Sequence, residues 1–188
     1  RGVRFDGELG YVLRQNPAVT FFNNGEPIGN LDSFGIRYND YGRIWANLET
    51  YTPWRNRFTF FTQTQLGVNF NYRDNLLNNF YIGGLNRLHR NQVTFAGLTE
   101  GSAYASNLLA FQLGLRRELF NNLYLTLRAN AAVKDFIDSE NRFIEPEFLS
   151  GYALTLGYNF ALGPLEFSLQ YSDQARQFGT YINLGFSF

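Results

Sequence analysis

Cysteine and methionine are absent from this chain, histidine occurs once (His89), and proline only five times. Without cysteine there can be no disulfide framework, and the redox compartment stays open. With one histidine and no thiol, no His/Cys metal cluster can form. No run of about 20 apolar residues occurs, which rules out a membrane-spanning helix. Charge of either sign is not in excess: 16 Lys and Arg balance 16 Asp and Glu. That balance lacks the basic footprint of a nucleic-acid binder. No Gly-X-Ser-X-Gly elbow is present. The chain opens at Arg1-Gly2-Val3 with neither an initiator methionine nor an apolar leader, as expected of a processed chain or a piece of a longer one.

Aromatic residues are abundant. They make up 18% of 188 residues, yet the mean hydropathy is only -0.26. A barrel with an apolar exterior and a wet lumen accounts for both values. The residue pattern agrees. Side chains alternate across a strand, and Leu123, Leu125, Leu127, Ala129, Ala131 and Val133 fall on one side while Tyr124, Thr126, Arg128, Asn130 and Lys134 fall on the other. The same split recurs around Phe58–Phe70, Leu109–Arg116, Gly151–Phe160 and Leu165–Ser172, and more weakly around Phe5–Leu13 and from about Ser33 to Tyr51. The last ribbon puts Ile182, Leu184, Phe186 and Phe188 on one face and ends on an aromatic residue, as bacterial outer-membrane barrels do. These four are the expected membrane-insertion signal.

Repetition of this period over segments of about ten residues predicts an all-β fold. We expect one domain over residues 1–188, an antiparallel transmembrane β-barrel with about eight strands, or half of a sixteen-stranded one. A soluble β-sandwich is the competing reading, since periodicity alone does not say which face is inside. Tight connections at Pro53–Asn56, Leu119–Asn122 and Ala161–Pro164 alternate with longer ones at about 15–32, 72–102, 135–148 and 173–177. That is the arrangement of periplasmic turns and extracellular loops. Gln92–Leu98 and a break at Asn39–Gly42 leave the strand count open.

Three motifs carry a resemblance. Gly163-Pro164-Leu165-Glu166-Phe167 resembles the Gly-Pro strand opening of the bacterial surface antigen family, the barrel shared by the BamA and TamA assembly factors and by outer-membrane patatin-like phospholipases. Leu184-Gly185-Phe186-Ser187-Phe188 resembles its closing strand, and Phe80-Tyr81-Ile82-Gly83-Gly84 the entry to its long loop. The resemblance implies a carboxy-terminal half-barrel, closest to the patatin-like members, that anchors or translocates an attached domain. It also implies a bacterial outer-membrane location, contact with the lipid bilayer and with the assembly machinery during biogenesis, and completion by a homodimer or by a preceding half. In the assembly factors the loop tip reads Val/Leu-Arg-Gly-Phe/Tyr. This chain reads Leu85-Asn86-Arg87-Leu88-His89-Arg90, without the Gly-aromatic pair, so insertase activity does not follow.

Candidate residues follow from these readings. Gly83, Gly84, Arg87 and Arg90 are the loop-to-lumen candidates, with the arginines directed at Glu8, Glu49 or Glu118; a plain surface loop is the alternative reading. Against a buried carboxylate such a charge is satisfied; left bare it is costly. Tyr51, Trp54, Tyr152 and Tyr158, with Phe120, are expected as interface aromatics. Mixed charges at Arg116, Arg128, Lys134, Glu49, Glu118 and Glu166 face the lumen and argue for a cross-linked interior rather than an ion-selective ring. His89 has no nucleophile beside it in sequence, so no catalytic residue is assigned, and any lipase activity would lie outside this chain. A small structural or pore-forming barrel is the alternative function, with a lipid enzyme using His89 the least favoured. No cofactor or metal is expected, because the acidic residues between Asp135 and Glu147 match no calcium-loop spacing. Leu127→Arg should face lipid and cost about 2–4 kcal/mol, and Thr126→Arg should face the lumen and cost much less.

Overall fold

A computed structural model describes residues 1–13, 18–30, 33, 39–73, 78–161 and 163–185. The strands are β1 (Gly2–Val12), β2 (Thr20–Asn23), β3 (Glu26–Asn30), β4 (Tyr41–Pro53), β5 (Phe58–Phe70), β6 (Phe80–Ile82), β7 (Gln92–Val93), β8 (Ala103–Ala105), β9 (Asn107–Phe120), β10 (Leu123–Lys134), β11 (Glu147–Phe160), β12 (Gly163–Ser172) and β13 (Gln177–Leu184). Eight of them form one antiparallel sheet in the order β1-β4-β5-β9-β10-β11-β12-β13. The sheet is not closed: β1 and β13 are its two edges. The eight-stranded count agrees with the alternation; of the two expected architectures, a barrel closed within this chain is not seen among the described residues.

The strands that cross are long enough for the task. β4, β5, β9, β10 and β11 run to 12–14 residues, against about 9–11 needed for a tilted transmembrane strand. Their two faces are reversed relative to a soluble sandwich. Phe5, Leu9, Leu113, Leu127, Leu156, Phe167 and Ile182 are exposed. On the other face Asn47, Gln65, Gln112, Thr126, Asn130, Thr155, Ser168 and Gln170 are buried. An apolar face this large, left uncovered beside a polar face that is covered, suits hydrocarbon rather than water. The sandwich alternative fails on this point.

Three differences from the sequence reading have local causes. Residues 15–32, expected as a plain loop, hold the β2–β3 hairpin. Asn24 (φ 50°) and Gly25 (φ 86°) link Asn23 to Glu26, the two-residue turn with both φ positive that Asn-Gly favours. β4 begins at Tyr41 rather than near Ser33; residues 34–38 lie outside the described set. Gln92–Val93 does form a strand, but it runs parallel to β6 in a small separate sheet, β7-β6-β8, and adds nothing to the wall. At the carboxy-terminal end, Phe186 and Phe188 lie outside the described residues. Ile182 and Leu184 face outward, exposed. The two terminal motifs meet there: Gly185 donates its N–H to the Pro164 carbonyl at 2.8 Å, and a Cβ at Gly185 would stand 2.9 Å from the Pro164 ring.

Thr126 is 3% exposed and accepts a hydrogen bond from Arg116 Nε at 3.3 Å. An arginine there would be overpacked, so Thr126→Arg is not the mild control that alternation alone indicates. Asn183, inward and beside Glu166 Oε2 at 3.3 Å, replaces it. In a folding titration into lipid, Leu127→Arg should cost about 2–4 kcal/mol and Asn183→Arg well under half of that. Equal costs would mean the faces are assigned wrongly.

Candidate functional site: a loop folded onto the inner face

Between β5 and β9 the chain leaves the wall and returns to cover its polar face. Phe80, Ile82, Val93, Phe95, Leu98 and Ala105 of this segment join Trp45, Leu108, Ala110, Ala132 and Leu149 of the wall in one buried apolar cluster. The sequence puts apolar residues on only a few inner wall positions, so the segment supplies much of the cluster. Around it, side-chain amides of the wall pair with the segment's backbone as a neighbouring strand would. Gln65 donates to the Thr94 carbonyl at 3.1 Å and accepts from the Thr94 N–H at 3.2 Å. Asn130 donates to the Ala96 carbonyl at 3.3 Å, and Gln170 accepts from the Gly97 N–H at 3.0 Å. An irregular backbone at membrane depth must find such partners.

Glycine sets how closely the segment approaches. A Cβ at Gly151 would lie 1.9 Å from the Ala96 carbonyl oxygen, and one at Gly97 (φ 89°) would lie 2.2 Å from the Tyr171 carbonyl oxygen. Glycine inside a strand often marks such an approach. Gly114 serves differently: its missing Cβ leaves room for the Phe61 ring.

The tip, residues 83–92, is organised by Gln92, which is 1% exposed. Its Nε2 donates to the Gly83 and Asn86 carbonyls at 2.7 and 3.1 Å, and its Oε1 accepts from the Leu88 and His89 N–H groups. Gly83 (φ 132°) and Gly84 (φ 78°) turn the chain here, and a Cβ at Gly83 would sit 2.0 Å from the Thr99 carbonyl oxygen. Arg90 reaches Glu8 on β1, N to O 2.9 Å. Among the described residues Arg87 meets no carboxylate within ion-pair distance; it stacks over the Trp45 ring at 4.0 Å and donates to the His89 and Arg90 carbonyls. Burial lowers the Arg87 pKa, with Asp6 and Glu8 opposing the shift. On the far edge, Glu100 and Asn86 neighbour the Tyr181 hydroxyl of β13. Arg90 and Asn86 thus meet residues of opposite sheet edges, which requires the sheet to curl around the segment.

Below the tip lies a polar cavity of about 440 Å³. Arg4, Arg87, Arg116 and Arg128 face Asp6, Glu49 and Glu166 across it, and of these only Arg4 and Asp6 are paired, at 2.9 Å. Tyr51, expected as an interface aromatic, belongs here instead: it shares the inner face with Glu49, donates to Glu49 Oε2 at 3.1 Å and stacks on Phe61 at 5.8 Å. Trp54 lies in the β4–β5 turn against Phe58, and Tyr152, Tyr158 and Phe120 are exposed. Glu118 does not meet either tip arginine within ion-pair distance. His89 is exposed in the tip and lines an outer cleft with Tyr81, Arg90 and Glu100. Lys134 bridges Asp135 and Glu147, both at 2.8 Å, where β10 and β11 end. In the acidic loop, Asp138 is occupied by Arg142: the Arg142 backbone N–H, then its guanidinium, hold the carboxyl below its usual pKa.

Gln65, Gln92, Asn130 and Gln170 are not marked as site residues by the sequence. The available signal was Gly67, Gly114 and Gly151 in strand interiors, together with amides on the inward face. Removing one amide isolates its contribution. Gln65→Leu leaves both Thr94 backbone groups without partners, costing the segment's docking about 1–3 kcal/mol for each group left buried. Gly151→Ala pushes against backbone and should act similarly. Both variants should expose residues 83–92 to protease while the barrel keeps its heat-modifiable electrophoretic mobility; unchanged protection would contradict this packing.

No curated protein and no solved structure matches the chain. A family model described as the OMP85 superfamily matches residues 17–188, a span that runs from before the β2–β3 hairpin to the last residue and includes the folded-in loop. With most of its length inside that match, the chain belongs to the OMP85 superfamily.

Proposed function

We propose that the chain is the carboxy-terminal wall of a wider outer-membrane barrel of insertion or translocation type, serving as anchor or conduit for an associated domain. The family supplies the general class. The observation that carries the rest is the segment between Phe80 and Ala105, with its own three-stranded sheet and a shared apolar core, against the inner face of eight strands. An eight-stranded barrel is filled by its own wall side chains. One that must also hold this segment needs more strands, and the unpaired edges β1 and β13 are where they would join, since open edges are not tolerated in hydrocarbon. Either a second copy or a preceding half would supply them. We read the chain itself as non-enzymatic. A patatin-like phospholipase is our candidate for the associated domain, on the motif resemblance alone.

A small self-closed pore is the competing reading. The mass of the folded assembly in detergent separates the two, combined with a cysteine pair at Asp6 and Asn183 in a chain that has no cysteine of its own. The wider barrel predicts no Asp6→Cys/Asn183→Cys disulfide within one chain, and an assembly carrying more than eight strands. A monomer of eight strands with that disulfide formed would establish the small barrel and remove the proposal.

A further inference from the structure

We propose that Arg116 and Arg128 form a phosphate-binding site in the cavity beneath the loop tip. Thr126 lies opposite Arg116, and Gly114 opposite Arg128. The two arginines are therefore diagonal neighbours on the inner face, within about 7–8 Å of each other at the backbone. Each guanidinium is steadied without being neutralised. Arg116 gives its Nε–H to Thr126 Oγ1 at 3.3 Å and lies over Tyr124 at 5.8 Å. Arg128 gives Nη1–H to Thr155 Oγ1 at 2.8 Å and lies over Phe61 at 5.9 Å. A guanidinium has five N–H donors, so most donors of both remain for a ligand.

Of the carboxylates that line the cavity, Asp6 is taken by Arg4, and the other two are held by neutral donors. Glu49 accepts from Asn47 and Tyr51, and Glu166 accepts from Asn183. Among the described residues neither arginine has a carboxylate within ion-pair distance, although both are partly buried. Two partly buried cations with no directly paired carboxylate are unfavourable. One tetrahedral oxyanion between two planar forks relieves both. Glu166 lines the same cavity, so it opposes an anion there and sets an upper limit on affinity. The shared chemistry is a phosphate group, either free or carried by a lipid that enters along the sheet edge.

The test uses the intact protein in phosphate-free detergent at constant ionic strength, titrated with inorganic phosphate and separately with dihexanoyl phosphatidic acid. Saturable binding of inorganic phosphate assigns a soluble ligand; binding of the lipid alone assigns a headgroup. In either case the Arg116→Gln/Arg128→Gln variant should weaken binding about tenfold or more, and Glu166→Gln should tighten it severalfold. Binding of neither probe, undiminished binding in the double variant, or no tightening in Glu166→Gln would overturn the site. Heat-modifiable mobility checks that the double variant folds. If it does not fold, the Glu166→Gln result decides alone.

Discussion

Everything on the inner side of this sheet depends on one requirement: backbone groups at membrane depth need hydrogen-bond partners that are not water. The loop between β5 and β9 enters that region in a largely irregular conformation. The wall answers with side-chain amides. Gln65 treats Thr94 as a strand would, Asn130 and Gln170 take Ala96 and Gly97, and within the loop Gln92 takes Gly83, Asn86, Leu88 and His89. The apolar cluster of Phe80, Ile82, Val93 and Phe95 against Trp45 and Leu108 adds burial to this polar frame. The loop is fastened across most of the width of the sheet, from Glu8 on β1 to Gln170 on β12.

The wall is adapted to its guest as well. Glycine occurs where the guest's backbone comes nearest, at Gly151, and where the host's own ring must swing in, at Gly114. The same economy of volume that admits the loop leaves the charged cavity below it. There Arg116 and Arg128 sit on the wall with no directly paired acid among the described residues, while Glu49 and Glu166 are engaged by Asn47, Tyr51 and Asn183. A pore with an open lumen would need neither the amides nor the glycines at these positions.

Much of the wall was legible in the sequence because a strand's two faces follow a period of two, and a lipid-facing strand obeys it strictly. Leu127 and Leu156 face outward and Arg128 and Thr155 inward, as the alternation says. Legibility ended where tertiary contact chooses between equals. Tyr51 is aromatic and near a strand end, so it resembled a girdle residue, yet its parity with Glu49 turns it inward. Arg87 was expected to seek a carboxylate and instead lies flat on Trp45, since a guanidinium stacks as readily as it pairs. The Asn24-Gly25 hairpin carries a local signal in its Asn-Gly pair. The docking of Thr94–Gly97 onto Gln65, Asn130 and Gln170 joins residues 29 to 73 positions apart, and no local pattern announces such a pairing.

The most direct test of the account is amide hydrogen exchange on the protein in lipid nanodiscs, read at Thr94, Phe95 and Gly97. Their N–H groups are donated to Gln65, to the Gly84 carbonyl and to Gln170. If the loop is fastened to the inner wall, these amides exchange as slowly as those in the middle of β9. If they exchange at the rate of an open surface loop, the inner face is not covered by this segment, and the case for a barrel wider than eight strands falls with it.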